Sequence, residues 1–186
     1  MAEPGKDRLQ PGDLLEGKYL IERELDRGAF GIVWLATHTK VGHKVAIKEL
    51  RLGEGGVDTQ KFGQYEERFR REARLLALFN HNRIVHFYDL LEPQPGVLYL
   101  VMEYVAGGNL RKHLDDTPRL RPDEACKLML HILEGLQTVH EHPIEIIHRD
   151  IKPSNILLDH HGQPKLTDLG LSKSLNEPGL TVSAML

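Results

Sequence analysis

The sequence predicts an α+β protein in two parts, a β-rich first half carrying one helix and a mainly helical second part. Three observations carry this. Between Tyr19 and Leu50, short apolar runs are separated by glycine-containing turns, the pattern of antiparallel strands. From Asp123 to His140, apolar residues recur instead at helical spacing. The 186 residues are 40% hydrophobic, which suits one domain, or one domain of two lobes, with ample material for a packed core.

In chain order, residues 1–18 are expected to form a polar N-terminal tail, loosest over 1–13 where Pro4, Pro11 and two glycines fall. Tyr19–Leu25, Ile32–Ala36 and Val45–Leu50 are predicted strands, with a glycine turn after the first and a Lys40–Lys44 turn after the second. Residues 53–63 hold four glycines and are predicted to be a loop. Glu66–Phe79 is a predicted helix, with Phe69, Ala73, Leu76 and Phe79 at helical spacing. Ile84–Leu91 and Val97–Tyr104 are predicted strands around Pro93-Gln-Pro-Gly96, ended by Gly107 and Gly108. Pro122 suits a first helical position. Behind it, Ala125, Leu128, Met129, Ile132, Leu133, Leu136 and Val139 form one stripe. Short apolar runs come last, at Ile156–Leu158 and Lys165–Thr167. No repeat or low-complexity tract is present.

Composition narrows the function. A formal net charge of −3 argues against a general nucleic-acid binder and against an electrostatic membrane anchor. The single cysteine, Cys126, excludes an internal disulfide and fits a reducing compartment, so a cytoplasmic location is expected. Met1–Gln10 lacks the apolar core of a secretory signal, and no run of about 18 apolar residues is present to span a membrane. The eleven histidines are scattered without a His-Glu-x-x-His pair, so they do not suggest a transition-metal site.

Phosphoryl transfer from ATP needs a cover over the phosphates, a cation on them, magnesium ligands and a group that orients the attacking hydroxyl. Asp26-Arg-Gly28-Ala-Phe-Gly31 lies between two predicted strands, and its glycines let backbone N–H groups approach phosphate oxygens. Such a turn alone is usually only a turn. Lys48 ends the strand Val45–Lys48 and could place a charge on phosphates, or simply be solvated. Glu72, on the following helix, could hold Lys48 charged, or be one more exposed glutamate beside Glu66 and Glu67. In His148-Arg-Asp-Ile-Lys-Pro-Ser-Asn155, Asp150 can accept a hydrogen bond from a hydroxyl and Lys152 can steady a phosphoryl group. Asn155 offers an oxygen of the kind magnesium prefers, and so does Asp168 in the turn Asp168-Leu-Gly170. A rival phosphate motif, Gly12-Asp-Leu-Leu-Glu-Gly17-Lys18-Tyr19, has tyrosine where a magnesium-binding hydroxyl of Ser or Thr is needed, and no strand precedes it.

Each piece has a bland alternative, but their common order does not. From about Tyr19 onward the chain resembles the eukaryotic-type serine/threonine protein kinase family. The resemblance implies transfer of the ATP γ-phosphoryl group to Ser/Thr hydroxyls of a protein substrate, with ATP and Mg2+ bound. It implies a nucleotide lobe and hinge over 19–105 and part of the second lobe over 106–186. Asp150 and Lys152 would be catalytic, Asn155 and Asp168 would hold magnesium, and Lys48 with Glu72 would form the ion pair of the active state. Leu25, Gly28, Gly31, Val33, Ala46 and Leu157 would line the ATP site. The backbone of Glu103 and Val105 would bond adenine beside a gatekeeper, Met102. Arg149 would pair with a phosphate on Thr181 or Ser183. The run Gly107–Leu110 has a bacterial style.

Three departures qualify this. Asp26 replaces the first glycine of the phosphate loop, predicting weakened or altered nucleotide binding. Leu169 replaces the usual phenylalanine, an apolar exchange at a packing position. The sequence stops at Leu186, before the Ala-Pro-Glu motif and the helices that come after it in the family. The stripe on 123–140 is therefore expected to lack partners. Exposed apolar area costs roughly 25 cal/mol per Å2, so the isolated chain is expected to be marginal or aggregation-prone. An ATP-binding, pseudokinase-like role or an inactive fragment is the alternative.

Overall fold

The computed structural model describes residues 9–28, 31–50, 59–117, 119–144 and 146–169. Six antiparallel strands form one sheet: β1 (Leu14–Leu15), β2 (Tyr19–Gly28), β3 (Gly31–His38), β4 (Lys44–Leu50), β5 (Phe87–Gln94) and β6 (Val97–Glu103). Their order across the sheet is β1-β2-β3-β4-β6-β5. Helix α1 (Thr59–Ala77) connects β4 to β5. The second part contains α2 (Leu110–Asp116), α3 (Pro122–His140), a 3-10 turn at Pro153–Asn155 and the small hairpin β7 (Ile156–Leu158) and β8 (Pro164–Leu166). The α+β organisation predicted from the sequence is the one observed.

Strand periodicity explains how β4 serves two purposes. Successive side chains point to opposite faces of a sheet. Ala46 and Leu50 join the core beneath α1, and Lys48 occupies the same face between them. Val45 and Ile47 join a separate cluster on the other face, with Trp34, Tyr99 and Val101. On α1, Phe69, Glu72, Ala73 and Leu76 are all buried, at the i, i+3, i+4, i+7 spacing of one helical face. The carboxylate of Glu72 thus enters the core on the face that packs against the sheet.

Several elements depart from expectation. Within the expected polar tail, residues 9–18 make up the sheet's first edge. Gly12 N donates to Ile21 O and Ile21 N to Asp13 O, and Leu9 and Leu15 are buried over the outer cluster. Leu9 and Leu15 anchor a segment whose other residues stay exposed or half-buried. Helix α1 begins at Thr59, not Glu66, and runs through Gly63. Gly63 is exposed there with nothing close to its Cβ position, and a helical glycine costs about 1 kcal/mol. Helix α2 has no apolar period long enough to reveal it; Asn109 caps it, with Oδ1 accepting from Lys112 N at 2.9 Å. Strand β5 begins at Phe87, because Ile84 instead bridges Leu166 of β8 in parallel.

That bridge helps join the two parts. Leu166 N donates to Arg83 O at 2.7 Å, and Val85 N donates to Leu166 O at 2.9 Å. A second clasp runs between Gly107 N and Leu158 O, and between Leu158 N and Gly108 O, each 2.8 Å. A Cβ at Gly107 would lie 2.6 Å from Leu158 O and 2.7 Å from Asp159 O, so only glycine permits this approach. The main core crosses the junction: Leu76, Leu98 and Leu100 cluster with Val139, Ile146 and Leu169. Helix α3 buries Ile132, Gly135 and Val139 but leaves Met129, Leu130 and Leu133 exposed. Of the seven residues of its predicted stripe, Ile132 and Val139 are buried, Ala125, Leu128 and Leu136 are half-buried, and Met129 and Leu133 are exposed. None of the helices among those residues is long and apolar enough to cross a membrane.

Candidate functional site

A cleft of about 980 Å3 lies between the sheet and the second part of the chain. All of the predicted catalytic, nucleotide and metal residues line it. Leu25, Gly28, Gly31, Val33, Ala46 and Lys48 come from the sheet, and Glu72 from α1. Glu103 and Val105 stand at the connection between the parts, beside Met102. Asp150, Lys152, Asn155, Leu157 and Asp168 come from the far side. Gly28 and Gly31 are register partners in the β2–β3 hairpin, whose tip residues Ala29 and Phe30 lie outside the described residues. Asp26 is exposed, and its Oδ1 accepts from Arg27 N at 2.8 Å. That bond turns part of its negative charge onto its own backbone.

At one end of the cleft, Lys48 Nζ sits 2.8 Å from both Glu72 carboxylate oxygens and 2.7 Å from Asp168 Oδ1. Burial works against the Lys48 ammonium, but Asp168 and Glu72 hold its pKa above the ordinary value. Burial pushes Glu72 up to about 8, against the pull of Lys48. It would raise Asp168 as well, yet Lys48 and a hydrogen bond with Glu72 bring Asp168 down to about 2. Lys48 Nζ faces two carboxylates at once, which compensates a positive charge that burial alone would make costly. The positive charge thus stays at Lys48, and the ionised oxygens stay at Asp168.

Across the cleft, Lys152 Nζ contacts Asp150 Oδ2 at 2.7 Å. Asn155 Nδ2 donates to Asp150 O at 3.0 Å and to Asp150 Oδ2 at 2.8 Å. Its amide oxygen is thereby turned away from Asp150. Thr167 N donates to Asn155 O at 3.1 Å, which ties the Asp150 loop to the strand that delivers Asp168. Arg149 and Asp168 have φ of 62° and 57°. Left-handed backbone at non-glycine residues costs about 1–3 kcal/mol and persists where the surroundings over-determine it. His148 is buried, and burial lowers its pKa. With Asp168 ionised and an amide oxygen on Asn155, the donor set is all oxygen, the kind a hard divalent cation takes. Among the described residues no group of three or more His, Cys, Asp or Glu suited to a metal is present.

Sequence reasoning missed several lining residues. Lys112 lies on the unpredicted α2, Tyr65 and Arg68 on the first half of α1, and Thr167 beside Asp168. Only Thr167 had a usable signal, its adjacency to a singled-out aspartate. Thr181, Ser183 and Gly170 lie outside the described residues, as do residues 51–58, which include most of the predicted glycine loop.

Comparison with known proteins agrees with this geometry. The protein kinase domain family matches residues 19–185. The chain is 36% identical, over 91% of its length, to a probable serine/threonine-protein kinase of Streptomyces coelicolor. It is 38% identical, again over 91% of its length, to serine/threonine-protein kinase PrkC of Bacillus subtilis. A serine/threonine protein kinase of Oryza sativa is 36% identical over 86% of the chain. The matches cover 24%, 25% and 30% of those relatives, so the chain spans less than a third of their length.

Proposed function

The chain belongs to the protein kinase domain family, and from that premise we propose that it transfers the γ-phosphoryl group of ATP to serine or threonine hydroxyls of a protein substrate. The observation that carries this is the meeting of Lys48, Glu72 and Asp168 in the cleft that Asp150, Lys152 and Asn155 also line. In this reading residues 19–105 are the nucleotide lobe and hinge, and residues 106–186 contribute the catalytic loop, the magnesium turn and the start of the activation segment.

The roles rest on chemistry. Leu25, Val33, Ala46 and Leu157 offer apolar surfaces to the adenine faces, and the backbone of Glu103 and Val105 offers polar groups to its edge. Gly28 and Gly31 let N–H groups reach phosphate oxygens. Lys48, fixed by Glu72, neutralises charge on the phosphates. Asp168 and Asn155 would hold Mg2+, which would supply positive charge to the phosphates when bound. Asp150 accepts the hydrogen bond of the incoming hydroxyl and takes its proton, which is typically worth roughly 10²–10⁴-fold. Lys152, 2.7 Å from Asp150 Oδ2, is within reach of the transferring group.

Two measurements test this. Saturating Mg-ATP should raise the melting temperature; ligand at 100 times its dissociation constant adds about 2.7 kcal/mol. No shift would remove every nucleotide reading. Phosphate transfer from labelled ATP to a basic protein should then be present in the parent and lost in Asp150→Asn. Equal signal in the two would trace it to a contaminant. A second reading, nucleotide binding without transfer, draws on Asp26 in the phosphate loop and on the exposed face of α3. A melting shift with no transfer in the parent would favour it.

A further inference from the structure

At the edge of the cleft lies an ion pair whose side chains have no part in those roles. Lys165 Nζ is 2.9 Å from Glu103 Oε1 and 3.0 Å from Oε2. The two side chains are 16% and 24% exposed, so water screens them only in part. The residues are far apart in the sequence and belong to different parts of the molecule. Glu103 ends β6, and Lys165 is central in β8.

Both partners are held by backbone bonds. Glu103 N donates to His86 O at 2.9 Å, and Glu103 Oε2 accepts from His86 N at 3.2 Å. On the other side, Lys165 pairs with Leu157, whose side chain lines the cleft, and the next residue, Leu166, is clasped between Arg83 and Val85. Strand β8 is therefore a fixed anchor, and the Lys165 ammonium is the direct side-chain tie from it to Glu103. Without that charge the Glu103 carboxylate would keep the His86 N–H but lose the cation that faces both of its oxygens. A part-buried anion in that position gains by turning toward water. The turn would release the His86 N–H from Glu103 Oε2 and so loosen the His86–Glu103 contact at the cleft's edge.

We propose that Lys165 is a positioning residue: by holding the Glu103 carboxylate against β8, it fixes the edge of the cleft that recognises the adenine base. The proposal rests on the kinase reading, which places adenine against Glu103 and Val105. It assigns Lys165 to base affinity and not to the phosphate or metal end, although Lys165 stands only three residues before Asp168.

Calorimetric titration of the full 186-residue chain tests it, with adenosine, Mg-ATP and magnesium tripolyphosphate as separate probes. Lys165→Met should weaken adenosine and Mg-ATP by one shared factor, about threefold to tenfold, as expected on losing a charged, part-buried hydrogen bond. Tripolyphosphate affinity should not change. Lys165→Arg, which keeps the charge, should bind adenosine within about twofold of the parent. Unchanged adenosine affinity in Lys165→Met would overturn the proposal, and so would an equal loss for tripolyphosphate, which would mean general damage. If Lys165→Met does not melt cooperatively, Glu103→Gln makes the same test, since it removes the charge and keeps the size. A parent that binds neither adenosine nor Mg-ATP would remove the kinase reading together with this one. A parent that binds both beside an unaffected Lys165→Met would remove this one alone.

Discussion

The sheet and helix α3 solve the same burial problem to different extents. The sheet covers both of its faces. Helix α1 lies on one, and the segment from Leu9 to Leu15 closes a second cluster with Tyr19, Ile21, Trp34 and Tyr99 on the other. Within that outer cluster even a polar pair is satisfied, since Trp34 Nε1 donates to the buried Glu49 at 2.9 Å. Helix α3 covers one stripe only. Ile132 and Val139 are buried, Leu128 and Leu136 are half-buried, and Met129, Leu130 and Leu133 face outward. Stability among the described residues is therefore concentrated in the sheet, and the helical part is held through the junction it shares with the sheet. The candidate site sits on that junction, with the cation of Lys48 from the well-covered side and Asp150 and Asn155 from the other.

Four measurements would break or sharpen this contrast. The largest effect is expected from Leu76→Ala, in the core that runs from α1 to Val139 and Leu169. It should cost about 2–5 kcal/mol and lower a single melting transition seen by both far- and near-ultraviolet signals. Two separate transitions would mean that the shared core does not couple the parts. Next, Gly107→Ala sets a methyl group against Leu158 O and Asp159 O. Overpacking of this kind costs about 1–3 kcal/mol, and by moving the connection off β7 it should also weaken nucleotide binding in calorimetry. Normal binding would show that the clasp does not position the cleft.

A smaller effect concerns pH. Burial lowers the His148 pKa in the folded state. The unfolded chain therefore takes up a proton near the ordinary value of about 6.5, where folded His148 does not. The stability tied to a neutral His148 is present above that value and is lost as pH falls from it toward the lowered folded pKa. The difference in melting temperature between parent and His148→Gln should shift against the parent between about pH 7.5 and about pH 5.5. A pH-independent difference would mean that His148 is not held neutral. The smallest effect is expected on the outward face of α3. Leu133→Gln should change stability by within about 0.5 kcal/mol, measured by urea denaturation. A loss as large as that of Leu76→Ala would show that this face is covered after all.

Much of this was legible along the chain. The strand runs, the α3 stripe behind Pro122 and the motif around Asp150 are local patterns, and local patterns survive without a structure. So do the lining residues, because turn glycines, a strand-end lysine and a catalytic loop each have a chemical reason to sit where they do. The misses have a common cause. Residues 9–18 look polar because two buried leucines among them set no period. Helix α2 is too short for its apolar residues to repeat. The start of α1 carries glycine and charge, which hide its helix from an apolar period.

The sequence by itself determined the alternation on β4, the buried face of α1 and the order of the chemical groups, because these depend on periods of two and of 3.6 residues. Only the tertiary structure decided which of them meet. Glu72 was one of three glutamates close together on a charged helix until the packing of Phe69, Ala73 and Leu76 carried it to Lys48. Lys165 was an ordinary strand lysine until β8 came to lie behind Glu103. Distance along the chain says nothing about such pairs. Coulomb and hydrogen-bond energies depend on separation in space and on burial, and both are set only when the two parts close on a common core.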